Sequence, residues 1–174
     1  MLKDYIEVKD AVPTDALSLA YVRRTTFYES WSHLNTSEDM KLYTEEEFNR
    51  EKIDRDMSDK ANTFLLAFMN GKVAGYAKLR RDRPNKELES ANAIEIERIY
   101  ALKEFQKKKI GCSLMNRCIE IAHAEKLDWI WLGVNQFNTK SIEFYKRFGF
   151  EVFGKKTFKL GNKEDHDFVM KKKL

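Results

Sequence analysis

The chain has 174 residues, of which 43% are hydrophobic and 34% charged; this excludes a disordered polymer and fits one domain over residues 1–174. Its 32 basic and 28 acidic residues leave a net charge of only +4, which suits an anionic ligand but is too small to predict a nucleic-acid partner. No apolar run is long enough for a membrane-spanning helix, no signal-peptide pattern is present, and Cys112 and Cys118 have neither disulfide nor metal-ligand spacing, so a reducing, cytoplasmic setting is expected.

Tyr5 to Val8 alternates as a short first strand. Thr14 then opens a helix whose Leu17, Ala20, Tyr21, Arg24, Phe27, Tyr28 and Trp31 recur at helical spacing. Its aromatic end, Phe27, Tyr28 and Trp31, reads either as core or as the wall of a substrate pocket. Thr36–Asp39 and Thr44–Glu47 both have the residues of a capping box and predict short polar helices through Ser58, their acids forming a solvated face. Thr63–Met69 and Val73–Leu79 are strands joined by Asn70-Gly71, a two-residue hairpin signal. The charged stretch Arg80–Asn92, with Pro84, predicts a loop.

From Ala93 the pattern alternates again, with Glu95, Glu97 and Ile99 on one side of a strand and Ile94, Ile96, Arg98 and Tyr100 on the other. It then changes period. Ile110, Leu114, Cys118, Ile121 and Ala122 fall on one face of a helix. Between strand and helix lies the basic loop Gln106-Lys107-Lys108-Lys109-Ile110-Gly111. A helix start leaves N–H groups unpaired and carries partial positive charge, so this loop is a plausible polyphosphate cradle. Trp129–Val134 reads as a buried strand, Asn138 caps a helix to Phe148 that Gly149 ends, and Glu151–Leu160 and Asp167–Lys171 form a closing hairpin through Gly161-Asn162, with a solvated lysine tail. Hairpins with interleaved helices imply an α/β protein with a mixed sheet covered by helices.

The loop QKKKIG resembles the Q/R-x-x-G-x-G/A pyrophosphate motif of the GCN5-related N-acetyltransferase (GNAT) superfamily, and NTKSIEFYKRFGF (138–150) resembles its second signature. Lys109 stands where that family usually has glycine; a lysine is compatible with the loop if its φ stays negative. The resemblance implies a mostly antiparallel central sheet with splayed fourth and fifth strands, and acetyl-CoA as cofactor, released as CoA. It places the pantetheine arm on the backbone of Ile99, Tyr100 and Ala101. The pyrophosphate would bind Gln106 and the amides of Lys107, Lys108, Lys109, Ile110, Gly111 and Cys112. Asn138 either contacts the cofactor or only caps its helix, with Ser141 at the motif's small position. Tyr145 falls where the family has its general acid, and Glu95 where some members have a base; Glu97 shares its strand face. A cysteine mechanism through Cys112 lacks a partner base. The three histidines, His33, His123 and His166, are scattered and have no ligand spacing.

The segments TTFYESWSHLNTSEDMKLYTEEEFN, EIERIYALKEFQKKKIG and IWLGVNQFNTKSIEFYKRFGF, with the ending DHDFVMKKKL, are similar to the PaiA-type polyamine acetyltransferases. This resemblance implies a small-molecule amine acceptor, spermidine or spermine, bound by Glu95, Glu97, Phe27, Tyr28 and Trp31, in a monomer or homodimer. Carboxylates and aromatic faces both attract ammonium groups. Two other readings remain open: transfer to protein amines or another small amine, and a low-turnover acyl-CoA-binding module.

Overall fold

The computed structural model describes residues 4–33, 36–83, 85, 88, 92–160 and 163–174. In chain order the elements are β1 (Ile6–Asp10), α1 (Ala16–Trp31), α2 (Ser37–Glu47), α3 (Arg50–Ser58), β2 (Asn62–Met69), β3 (Lys72–Arg80), β4 (Ala93–Ala101), α4 (Ile110–Ala124), β5 (Trp129–Asn135), α5 (Thr139–Arg147), β6 (Glu151–Leu160) and β7 (Lys163–Lys173). The strand order is β1-β2-β3-β4-β5-β7-β6. The β1–β2, β5–β7 and β6–β7 pairs are antiparallel, whereas β4 and β5 run parallel. The mixed sheet with flanking helices is the expected one. The chain divides into two compact units, Met1–Leu79 with Arg98–Cys118, and Arg80–Glu97 with Ile119–Leu174.

In the first unit β1 pairs with β2 from Ile6↔Met69 to Asp10↔Leu65. Asn70 (φ 50) and Gly71 (φ 78) make the left-handed turn expected of a two-residue hairpin. The buried face of α1 differs from the one read in the sequence. Ala16, Leu19, Val22, Arg23 and Thr26 point inward, while Leu17 is 73% and Tyr21 54% exposed. The helix carries apolar residues all round, so periodicity could not select a face. Two polar residues then complete the buried one. Arg23 pairs with Asp56 at 3.3 Å and lies over the rings of Phe48 and Phe64, and the Thr26 hydroxyl donates to the Val22 carbonyl at 2.7 Å.

Thr36 caps α2 as expected, accepting from the Asp39 N–H at 3.2 Å. The second capping box is not a helix start. Thr44 is buried inside α2, its hydroxyl donating to the Lys41 carbonyl, and Asn49 caps α3 by accepting from the Lys52 N–H at 2.9 Å. Of the expected solvated acids, Glu38, Asp39, Glu45 and Glu46 are exposed. Leu19, Ile53, Leu65, Leu66, Leu79, Ile110, Leu114 and Met115 form fully buried core.

In the second unit the β4–β5 ladder covers only Ala93↔Trp129, Ile94↔Ile130 and Glu95↔Trp131 of a nine-residue strand. β7 pairs with β5 from Trp129↔Lys173 to Asn135↔Asp167 and with β6 on its other side. The strand runs past its expected end, Lys172 and Lys173 pairing with Ile130 and Trp129 while Lys173 stays exposed, and Lys171 lies 4.3 Å from the Trp129 ring centroid and 5.0 Å from that of Phe153. Leu88, Trp129, Trp131 and Val169 pack together with Ala93 and Phe153. The Gly161-Asn162 turn and Pro84 lie outside the described residues.

Candidate active site

The basic loop of the first unit begins where β4 ends. Ile99, Tyr100 and Ala101 are half-buried, Tyr100 stacking on Tyr76 with centroids 6.0 Å apart, and the Leu102 N–H donates to the Ala74 carbonyl at 2.9 Å. This approach needs glycine at position 75. A Cβ there would lie 2.5 Å from the Tyr100 carbonyl oxygen and 2.9 Å from Ile110 Cγ2. Buried Phe105 anchors a 3₁₀ turn, Lys103–Phe105, after which Gln106, Lys107, Lys108 and Lys109 are exposed.

Lys107 (φ 62) and Lys109 (φ 67) both adopt the left-handed conformation. The condition read from the sequence, that φ at 109 stays negative, is not met: lysine there takes up glycine's geometry. Left-handed residues interspersed with right-handed ones turn successive N–H groups toward one side, the arrangement that cups an anion. α4 follows at Ile110, and the first N–H groups of a helix have no carbonyl one turn back to meet. Ile110, Gly111 and Cys112 thus present amides and the partial positive charge of a helix start beside three lysines. The donor set fits a pyrophosphate. Lys108 is tethered differently, with its N–H on the Phe105 carbonyl and its ammonium 5.3 Å from the Phe105 ring centroid. Cys112 is half-buried, whereas Cys118 is buried, which pushes its thiol up to about 12 and leaves it inert.

In the second unit Glu95 and Glu97 share a face of β4 by its period of two. Their surroundings differ. Glu95 is 8% exposed, and its Oε2 has no hydrogen-bond partner among the described residues. Burial raises its pKa above the ordinary carboxylate value, with Glu97 adding to the rise and Arg83, Lys156 and Arg80 opposing it. Glu97 instead lies 3.5 Å from the Nε of Arg80, which also binds Asp82. The difference between the two carboxylates is therefore the Arg80 ion pair, which Glu97 has and Glu95 lacks among the described residues. Arg80 was not singled out by sequence reasoning, because it lies across the intervening loop.

Tyr145 is on α5, 9% exposed, with its ring 5.4 Å from Phe144 and 6.1 Å from Phe150. Asn138 caps this helix, its side chain accepting from the Ser141 N–H at 3.2 Å, and Gly149 (φ 85) follows its end. Phe27 stacks on Tyr43 at 4.4 Å and meets Phe48 edge-on at 5.7 Å, so its ring is committed to packing; Tyr28 is half-buried and Trp31 is 39% exposed. Trp131, beside Glu95 in the ladder, also went unnoticed in the sequence: its neighbour is defined by strand register, not by spacing. No group of three or more metal-ligating side chains occurs among the described residues, and no helix of theirs is long and apolar enough to cross a membrane.

Residues 24–150 match the acetyltransferase (GNAT) family. An uncharacterized N-acetyltransferase of Lactobacillus delbrueckii subsp. lactis is 33% identical over 157 residues, covering 88% of each chain. A spermidine N(1)-acetyltransferase of Thermoplasma acidophilum is 26% identical over 172 residues, 97% of each chain. Among solved structures, the PaiA N-acetyltransferase of Thermoplasma acidophilum in complex with coenzyme A superposes with a TM-score of 0.74 at 26% identity, covering 98% of this chain and 99% of that one. With a basic loop leading into α4 and a family match over most of its length, the chain belongs to the GNAT family and is an acetyl-CoA-dependent N-acetyltransferase.

Proposed function

We propose that the acceptor is a polyamine, spermidine or spermine, acetylated on a primary amine by direct attack in a ternary complex in the cytoplasm. The observation that carries this reading is the Glu95 carboxylate, buried without a hydrogen-bond partner for Oε2 among the described residues and accompanied on its strand face by Glu97. A cationic amine complements such a site, because an ammonium group supplies both charge and N–H donors. The likeness to the spermidine acetyltransferase over nearly the whole of both chains supports the same choice. Glu97 joins Glu95 as an acceptor-binding candidate.

Acetyl-CoA supplies a thioester whose carbonyl carbon the neutral amine attacks as the C–S bond breaks. Glu95 takes the proton that the acceptor ammonium must lose first, a task its raised pKa suits. The Tyr145 hydroxyl donates a proton to the departing sulfur; a phenol, with a reference pKa of about 10, holds its proton at neutral pH. The amides of 107 and 109–112, with Gln106 and the lysines, would hold the pyrophosphate, and the backbone of 99–101 the pantetheine arm; the Lys108 amide is already bonded to the Phe105 carbonyl. Asn138 and Ser141 fix the start of the helix that carries Tyr145.

The test is CoA release, followed with a thiol reagent, on spermine, spermidine, putrescine, lysine, an aminoglycoside and a peptide N-terminus. Preference for spermidine or spermine supports the proposal. Turnover on the peptide alone refutes it and makes the chain a protein acetyltransferase.

A further inference from the structure

We infer that Trp131 is a positioning residue for the proton transfer: its indole N–H holds a water against the Glu95 carboxylate. This rests on the reading of Glu95 as the base. The parallel ladder pairs Glu95 with Trp131, which puts both side chains on the same face of adjacent strands. Both are more than nine-tenths buried, at 8% and 6% exposure. Each carries an orphan: neither Glu95 Oε2 nor Trp131 Nε1 has a hydrogen-bond partner among the described residues. The indole ring packs with Leu88, Trp129 and Val169, so its N–H has a fixed direction.

An indole N–H only donates and an ionised carboxylate only accepts, yet the two orphans are not bonded to each other. One water meets both. It accepts from Trp131 Nε1 through one lone pair and donates one O–H to Glu95 Oε2. Its second lone pair then faces the acceptor ammonium. The water takes a proton from R–NH3+ as it passes its own to Glu95, giving R–NH2, water and the neutral carboxylic acid; the acid later returns its proton to solvent. By polarising the water, the indole strengthens its bond to the carboxylate and favours the ionised form.

The other charged groups around Glu95 are Arg80 on β3, Arg83 in the following loop, Glu97 on β4 and Lys156 on β6. On β7, Lys171 pairs in register with Trp131, and Asp167 lies further along that strand. A Trp131→Phe substitution alters none of them. An aromatic face is kept, but the phenyl is smaller than the indole, so the N–H is lost together with some buried volume, and the pH profile and the indole resonance, not the rate alone, separate the two effects.

The experiment compares wild type, Trp131→Phe, Glu95→Gln and the double variant, each with acetyl-CoA and spermidine across pH, or with the panel amine that turns over if spermidine does not. Trp131→Phe is expected to lower kcat about tenfold with KM for the amine little changed, and to move the acid limb of the profile to higher pH. The double variant should be no slower than Glu95→Gln alone. A profile moved to higher pH in Glu95→Gln with an unmoved profile in Trp131→Phe overturns the role of Trp131 and leaves Glu95 as the base. An unmoved profile in Glu95→Gln overturns both readings. A measurement on unmodified Trp131 guards against a folding defect: the 15N-indole resonance missing from Trp131→Phe should titrate in wild type with the acid-limb midpoint and stay fixed in Glu95→Gln. A wild-type resonance that does not titrate overturns the inference.

Discussion

Lys109 is where chemistry and backbone geometry conflict, and replacing it by glycine separates the two. Its φ of 67 lies in the left-handed region, which costs an L-residue about 1–2 kcal/mol. Glycine relieves that strain but brings an entropic cost of about 0.5–1 kcal/mol, so Lys109→Gly should gain about 0.5–1 kcal/mol, or about 1–4 °C in Tm for a chain of this size. Lys108 is the control. Its φ is not positive and its ammonium lies over Phe105, so Lys108→Gly should lose about 1–2 kcal/mol from backbone entropy and the cation–π contact together. Cofactor affinity should move the other way from stability. Removing one charge about 4 Å from a phosphate forfeits about 1 kcal/mol in water, an approximately fivefold weaker acetyl-CoA Kd at low salt that shrinks as screening increases. Thermal melts and calorimetric titrations at two salt concentrations measure both quantities. A fall in Tm for Lys109→Gly, or equal shifts for positions 108 and 109, would refute the strain argument.

Three further outcomes are expected. Gly75→Ala puts a Cβ 2.5 Å from the Tyr100 carbonyl oxygen, so thermal melts should show a loss of about 1–3 kcal/mol and titrations a weaker acetyl-CoA complex as 100–101 shift; an unchanged Tm would mean the two strands separate freely. Because the folded-state pKa of Glu95 is raised, its ionised form costs stability, and the wild type loses stability as pH rises through that pKa. Glu95→Gln should therefore melt higher than wild type at about pH 8, with the difference vanishing by about pH 4, while its rate profile moves to higher pH; equal melting temperatures at both pH values would show that burial of the carboxylate costs nothing. Tyr145→Phe keeps the packing on Phe144 and Phe150, so kcat should fall about 10–100-fold with acetyl-CoA binding within about twofold of wild type; an unaltered kcat removes Tyr145 as the acid.

Local signals made much of the fold legible. Asn70-Gly71, Thr36 and the changing period between Glu95 and Ala122 each act over a few residues, and the corresponding turn, cap, strand and helix follow. What was not legible depends on partners distant in sequence. The buried face of α1 includes Arg23 only because Asp56, Phe48 and Phe64 receive it. Thr44 looks like a cap until α2 is seen to run through it, its hydroxyl returning to Lys41. At the site, the shared face of Glu95 and Glu97 follows from strand periodicity, but their division into an unpaired and a paired carboxylate needs Arg80, and the neighbour of Glu95 on β5 is fixed only by register. The positive φ of Lys109 had no sequence signal, since the residue type argues against it.

The place of β7 bears on how the chain is made. It follows β5 and β6 in sequence yet lies between them in the sheet, so each reaches its antiparallel neighbour only through the strand synthesised last of the three. A nascent chain that has already emerged through Asn135 holds the apolar segment Trp129–Val134 with an open edge until Lys163–Lys173 arrives. Such an edge is a template for pairing with other chains. Slow or stalled synthesis after Asn135 is when aggregation should compete most strongly with folding, and a chaperone that covers an extended apolar strand would act there.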